Sequence, residues 1–351
     1  MKSLVEKLIQ NHELEKEEYV QLLRNVHDKE VRETLQIEAV RLRKKYYGNK
    51  IYIRGLIEFT NYCQNNCYYC GIQARNNKVV RYRLTHEEIL ECCKNGYELG
   101  FRTFVLQGGE DLWFTDEKMI AIIQDIKKNY PDCALTLSIG EKSYETYQKF
   151  RQAGVDRYLL RHETANEEHY QFLHPCSMDF NHRQQCLYDL KSLGYQVGAG
   201  FMVGSPKQTL ECLAEDLIFL KKLSPQMVGI GPFIPHHETI FADQPSGSLE
   251  MTLFLLSIIR IILPQVLLPA TTALGTIDPH GRERGILAGA NVIMPNLSPV
   301  RNRKQYDLYD HKICMGEEAA ECRGSLEKQM ISIGYEIVNE RGDYKGGEEN
   351  V

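Results

Sequence analysis

The sequence predicts an α/β fold, a (β/α)8 barrel with an N-terminal helical extension and a C-terminal extension that is partly irregular and partly helical. From residue 51 onward, apolar β-branched runs alternate with segments of helical hydrophobic period, eight rounds in all. Such alternation implies a parallel sheet, and eight repeats are enough to close one into a barrel. Nearly every run also ends in glycines, charged residues or cysteines, and the carboxyl ends of barrel strands are where such folds carry their chemistry. A doubly wound open sheet is the alternative. The divisions read as 1–50 for a helical cap, 51–296 for the barrel and 297–351 for an extension closing it.

In the cap, Leu4, Leu8 and Ile9, then Val20, Leu23 and Val26, then Val31, Leu35, Ala39 and Leu42 recur at helical spacing. Gly48-Asn49 stops the last helix, with Lys44 and Lys45 where its dipole favours cations. The expected strands are Ile51–Thr60, Thr103–Gln107, Ala134–Ile139, Arg157–Arg161, Gln196–Val203, Met227–Phe233, Leu267–Thr272 and Asn291–Met294. Between them fall helical patterns such as Thr85–Leu99, Asp116–Asn129, Ser143–Ala153, Thr209–Leu223 and Ser248–Leu263. Thr85-His86-Glu87-Glu88 is a capping-box start and Gly100 a stop. Beyond residue 296 the alternation is lost; an amphipathic stretch runs from Leu326 to Ile337, and Gly342 to Val351 reads as a frayed end.

Composition excludes several classes. A net charge of −5 and a pI near 6.2 do not suit a nucleic-acid partner. The first residues, Met1 to Lys7, hold no long apolar run and do not read as a signal peptide. The most apolar run, Leu253 to Leu268, is broken by Arg260 and Pro264 and is too short for a membrane span. A cytoplasmic location is expected, where eleven cysteines are reduced thiols available to metal.

The first strand runs into Cys63-Gln64-Asn65-Asn66-Cys67-Tyr68-Tyr69-Cys70, a C-x₃-C-x₂-C triplet. A cubane iron–sulfur cluster usually takes four cysteines; three leave one iron open for chemistry. A zinc knuckle would want a fourth ligand close by, but the next histidine is His86. Other strand ends add Gln107-Gly108-Gly109-Glu110-Asp111, Ser138-Ile139-Gly140-Glu141, Arg157 to Thr164, and Ala270-Thr271-Thr272-Ala273. Each alone has a bland reading: a glycine pair makes a turn, and Arg161 pairs with Glu163. Together they describe a closed cavity with a cluster at one edge. An open iron can chelate an amino acid's amine and carboxylate, with the Gly109 backbone accepting the amine, Glu163 binding a ribose hydroxyl pair and Arg183 neutralising a carboxylate.

With an aromatic residue before its last cysteine, the triplet resembles that of the radical S-adenosylmethionine (SAM) superfamily. More narrowly, Gln107 to Asp111, Asp156 to Asn166, Met227 to Pro235, Pro269 to Ala273 and Asn291 to Asn296 resemble the HydE family, the radical SAM maturases of FeFe-hydrogenase. The resemblance implies a 4Fe-4S cluster on Cys63, Cys67 and Cys70, completed by SAM, which is cleaved reductively to methionine and a 5′-deoxyadenosyl radical. It implies cofactor contacts from Gly108, Gly109, Glu110, Ser138, Glu163 and Arg183. Gln107, Arg157, Arg161, Thr271, Thr272 and Met294 would line a substrate pocket, with a salt-bridged barrel layer as the alternative for the arginines. The implied substrate is an iron complex bearing carbon monoxide, cyanide and cysteine, made by a HydG-type partner, its product passing to a HydF-type scaffold. Ferredoxin or flavodoxin would be the reductant. Two other functions stay open: a radical SAM enzyme acting on an organic, amino-acid-like substrate, as methylornithine synthase and biotin synthase do, and a non-catalytic iron–sulfur carrier.

Some members of the family carry a second cluster on a C-x₇-C-x₂-C triplet. Here Cys314 and Cys322 keep the first spacing but position 325 is Ser. A hydroxyl is a poor iron ligand beside thiolate, so a stable second cluster is not expected. Cys92, Cys93, Cys133, Cys176, Cys186 and Cys212 read as packing residues, and His236-His237 as a polar loop.

Overall fold

A computed structural model describes residues 1–313 and 319–346, with the backbone alone of Ala320. Three helices, α1 (Lys2–Asn11), α2 (Lys16–Leu23) and α3 (Lys29–Tyr47), form the N-terminal cap. The Asp28 carboxylate caps α3 by accepting from the Val31 N–H, and Gly48 ends it at φ +61°. Leu8, Leu22, Leu23 and Leu35 are fully buried on the inner faces.

The first expected strand is two strands, β1 (Lys50–Ile53) and β2 (Gly55–Thr60), broken at Arg54. Then come β3 (Thr103–Gly108), β4 (Ala134–Ser138), β5 (Arg157–Leu159), β6 (Gln196–Ala199), β7 (Met202–Val203), β8 (Met227–Val228), β9 (Gly231–Pro232), β10 (Val292–Ile293) and β11 (Glu336–Val338). β2, β3, β4, β5, β6 and β8 make one parallel sheet in that order, while β10, β1 and β11 make another. The seventh expected strand, Leu267–Thr272, survives only as two parallel bridges, Met227↔Leu267 and Pro269↔Val292. Pro269 has no N–H to give a ladder, yet these bridges, with Leu56↔Asn296, carry the ring from β8 through β10 to β2.

Outside the ring lie α4 (His86–Glu98), α5 (Asp116–Asn129), α6 (Tyr144–Ala153), α7 (Glu167–Leu173), α8 (Phe180–Ser192), α9 (Leu210–Leu223) and α10 (Leu249–Ile262). After them come α11 (Thr272–Ile277), α12 (Gly281–Leu287), α13 (Val300–Arg303) and α14 (Ala319–Ser332). The expected capping box of α4 is present, with the side chains of Thr85 and Glu88 bonded to each other's backbone. Among the described residues no helix is long and apolar enough to cross a membrane.

Strand register decides what faces the barrel axis. Glu58 aligns with Gln107 and Gln107 with Ser138, so these three share an inner row near the carboxyl ends. Arg157 opens β5 and aligns with Gln196, at the amino-terminal end. It is fully buried, and its guanidinium donates to Thr103 Oγ1 (3.2 Å), Gln196 Oε1 (3.2 Å), the Arg341 carbonyl (2.9 Å) and Asp343 Oδ1 (2.7 Å). The expected substrate role of Arg157 therefore gives way to the salt-bridged one. Residues 342–346 are correspondingly not a frayed end: Gly342 and Asp343 lie against Arg157 and plug the barrel floor. Residues 347–351 lie outside the described residues.

The same extension crosses the opposite mouth. Asn61 Nδ2 donates to the Gln305 carbonyl (2.7 Å), the Gly71 N–H to the Leu308 carbonyl (3.0 Å), and the Asp310 N–H to the Pro235 carbonyl (3.0 Å).

Candidate active site

The cysteine loop leaves β2 at Thr60 and returns beside it, with the Leu84 N–H on the Phe59 carbonyl at 2.7 Å. Arg81 rivets it from within. One terminal nitrogen donates to the carbonyls of Asn61 and Ile72, the other to those of Gln73 (2.6 Å) and Asn76 (3.0 Å). The turn is tightened by Ala74 N–H on the Asn65 carbonyl (2.8 Å) and Asn65 N–H on Cys63 Sγ (3.4 Å). Removal from water pushes the thiols of Cys63, Cys67 and Cys70 up, Cys70 to about 12; at Cys67 the nearby Cys70 adds to the effect.

Gly108 and Gly109 at the end of β3 let the cysteine loop approach closely. A Cβ at Gly109 would stand 2.2 Å from the Tyr62 carbonyl oxygen and 2.6 Å from Cys63 Cβ; one at Gly108 would stand 2.7 Å from Thr60 Cγ2. Glu110 is buried and braces three segments. Its carboxylate accepts from the Glu141 N–H (2.9 Å) and Gln64 Nε2 (3.2 Å), and its carbonyl from the Gln64 N–H (3.0 Å). A cavity of about 350 Å³ opens here, lined by Gln64, Asn65, Glu110, Glu141, Met178 and His182. Ser138 ends β4, beside Gln107 in register.

Glu163 and Arg183 approach the cysteines from the far side, close enough that both act electrostatically on Cys67. Arg183, buried on α8, has Nε 2.7 Å from Glu141 Oε1. Glu163 takes φ +67°, and its Oε2 is 3.2 Å from Arg161 Nη2. That pair lacks hydrogen-bond geometry, leaving Glu163 Oε2 and two Arg161 nitrogens buried without an acceptor or donor.

Deeper in the barrel the pattern recurs. Arg54 is buried, with Nη1 on Met227 Sδ at 2.9 Å and Nε and Nη2 without partners. Thr136 Oγ1 and Thr271 Oγ1 are likewise buried and unpartnered. Thr272 begins α11 and Met294 is half-buried after β10. Gln107 is turned to the Tyr306 hydroxyl at 3.4 Å. Buried donors are ordinarily satisfied. This set of buried cations and hydroxyls suits a polar anionic guest.

The family model described as the radical SAM superfamily matches residues 57–220. The chain is 44% identical over 321 residues to the [FeFe] hydrogenase maturase subunit HydE of Thermotoga maritima, covering 92% of this chain and 91% of that one. It belongs to the HydE family. It is also 30% identical to 3-methylornithine synthase of Methanosarcina acetivorans over 86% of each chain. The crystal structure of methylornithine synthase superposes with a TM-score of 0.84 at 27% identity, covering 95% of this chain and 97% of that one. A crystal structure of HydG superposes at 0.80 with 21% identity, over 95% and 75%, which speaks to the fold alone.

This HydE-family chain is a radical SAM enzyme, and its family implies a 4Fe-4S cluster and SAM. The sequence reading missed Arg54, Arg81, Thr136, Glu58 and Lys312. Arg54 and Glu58 left a signal, two charges inside a strand run that is otherwise apolar or small. The reading of Cys176 as a packing residue is overturned, since that thiol is exposed, while Cys92, Cys93, Cys133, Cys186 and Cys212 are buried. Cys314 lies outside the described residues. Cys322 is buried on α14 beside a cavity of about 370 Å³ that Ser325 and Arg282 also line. His236 and His237 stack near Asp310, but His236 Nδ1 accepts from the Glu238 N–H (3.1 Å). That leaves the ring proton on Nε2, where it would block a metal.

Two buried histidines give a pH dependence. His174 Nδ1 donates to the Tyr170 carbonyl (2.9 Å), and His162 Nδ1 accepts from the Gly200 N–H (3.3 Å). Burial pushes each down to about 3. A lowered folded-state pKa gives stability that is fully present above the unfolded value of about 6.5 and is lost as pH falls toward 3. Moving the cluster-free chain from pH 7.5 to 5.5 is expected to cost about 1 kcal/mol per histidine. Urea unfolding at the two pH values measures this, and His174→Phe should roughly halve the contribution of the pair.

Proposed function

We propose that Cys63, Cys67 and Cys70 hold the cluster with one iron open to SAM, that Glu163 and Arg183 orient SAM, and that the inner wall takes the substrate. The single observation behind this reading is the set of buried polar atoms without hydrogen-bond partners on Arg161, Arg54, Thr136 and Thr271. When bound, the reduced cluster supplies the electron that splits SAM. The chain's own part is to exclude water and to hold a polar, anionic molecule in reach. Two fixed cations and two hydroxyls compensate its desolvation. An iron complex with carbon monoxide, cyanide and cysteine ligands, delivered by a HydG-type maturase and passed on to a HydF-type scaffold, has that character. Ser325 argues against a second thiolate-bound cluster. A ferredoxin or flavodoxin is the class of reductant. The likeness to methylornithine synthase supports a second reading, an organic amino acid in the same cavity.

Anaerobic reconstitution with iron and sulfide, then dithionite and SAM, is expected to yield 5′-deoxyadenosine from the unaltered chain and none from Cys67→Ala. Adding the iron complex or an amino acid separates the two readings, since the true substrate should raise the yield. Arg161→Leu should abolish that rise while leaving the basal cleavage. No SAM cleavage by an intact reduced cluster would leave only a carrier.

A further inference from the structure

We propose that His162 and Asp216 are positioning residues, holding the backbone at Glu163 in the conformation that presents its carboxylate to SAM. The inference rests on Glu163 being a SAM contact.

Glu163 is one of few described non-glycine residues at positive φ, +67°. A side chain there is strained and persists only where its surroundings enforce it. Here the turn is fastened on two sides. Toward β6, the Glu163 N–H donates to the Gly200 carbonyl (3.0 Å), while the Gly200 N–H donates to His162 Nδ1 (3.3 Å). This pair of bonds sets residues 162 and 163 against one glycine. Because Nδ1 accepts, the ring proton is on Nε2, which donates to Asp216 Oδ1 at 3.1 Å. The same oxygen accepts from the Ala165 N–H at 2.6 Å. Asp216, on α9, thus reaches across to grip the turn immediately before and after Glu163-Thr164.

The grip is dry. His162 and Asp216 are both fully buried, and the imidazole centroid lies 4.7 Å from the Phe219 ring and 5.8 Å from that of Phe201. Asp216 Oδ2 has no partner. Both hydrogen bonds of the tether end on Oδ1, and burial pushes this carboxyl well above the usual range, which favours its neutral form. The tether therefore needs a carbonyl-type oxygen at Oδ1 and needs no charge. Neither residue touches the cysteine loop in any described hydrogen bond, so neither is required to hold the cluster.

The test is anaerobic SAM binding by equilibrium dialysis on the reconstituted holoenzyme, with iron content and thermal unfolding measured on each sample. Asp216→Ala and His162→Phe are each expected to weaken SAM binding by about tenfold or more with iron content unchanged. Asp216→Asn, which keeps an oxygen at the same place, should stay within about threefold. Glu163→Ala in the same assay separates the layers. Full affinity in Glu163→Ala overturns the SAM contact itself. Weakened binding in Glu163→Ala with full affinity in Asp216→Ala or His162→Phe overturns the tether. Equal losses in Asp216→Asn and Asp216→Ala would assign the effect to charge and also overturn it. If Asp216→Ala and His162→Phe both fail to fold, the pair is a folding element and the proposal falls.

Discussion

Replacing Arg81 by Ala should leave the barrel folded and strip it of its cluster. The four N–H groups on the two terminal nitrogens of Arg81 meet four carbonyls of its own loop, those of Asn61, Ile72, Gln73 and Asn76. Hydrogen bonds from a charged donor contribute about 1.5–3 kcal/mol each, and carbonyls turned inward around a missing cation lose that and gain little from water. The closed loop would then be disfavoured by roughly 3–5 kcal/mol, on the order of a hundredfold or more in population. Arg81 is also a cation acting on Cys63 and Cys70, so its loss removes a counter-charge from the thiolates a cluster requires. Iron and sulfide content after reconstitution measures the outcome, with circular dichroism as the check on the barrel. Arg81→Lys should fare little better, because one ammonium with three donors cannot reproduce a planar fork. Full iron retention by Arg81→Lys would sink the explanation.

The largest expected effect on stability is at Lys312. Its Nζ lies 2.5 Å from Glu58 Oε1 and 3.0 Å from the Tyr306 carbonyl oxygen, and Asn296 Nδ2 donates to Glu58 Oε2 at 2.8 Å. The two side chains are 6% and 1% exposed. Removing one partner of a buried ion pair strands the other charge, at a cost of about 3–5 kcal/mol. Lys312→Met should lose that much in chemical denaturation, releasing the segment that crosses the upper mouth. Glu58→Gln combined with Lys312→Met should recover most of it, because an amide needs no counter-ion. A double variant as weak as the single one would show that packing, not charge, matters at this position.

The parts legible in the sequence are those set by local chemistry. The cysteine loop is read from spacing, the start of α4 from the capping box at Thr85 to Glu88, and the barrel from alternation. What was not legible depends on residues far apart in the chain. β11 is three residues long, and its pattern means nothing without β1 beside it. Arg157 was legible as an inner cation, but its partner is Asp343, in a tail that reads as loose polar chain. Gly109 signalled a close backbone approach, and Tyr62 of the cysteine loop is one neighbour that needs it. Arg81 resembles any loop arginine until the carbonyls around it are placed.

The pairing of β11 with β1, Ile51 beside Ile337, has a consequence in time. A chain emerging from the ribosome exposes the cysteine loop early, but the wall next to β1 and both mouths stay open until the last stretch has been synthesised. Contacts between such distant segments form late, because the loop they close is long. Metal loading therefore has a natural window, after residues 63–70 have left the tunnel and before the final strand locks, in which small inorganic species reach the thiols freely. Once the tail is seated, those routes narrow around the same cysteines, which stay half-buried.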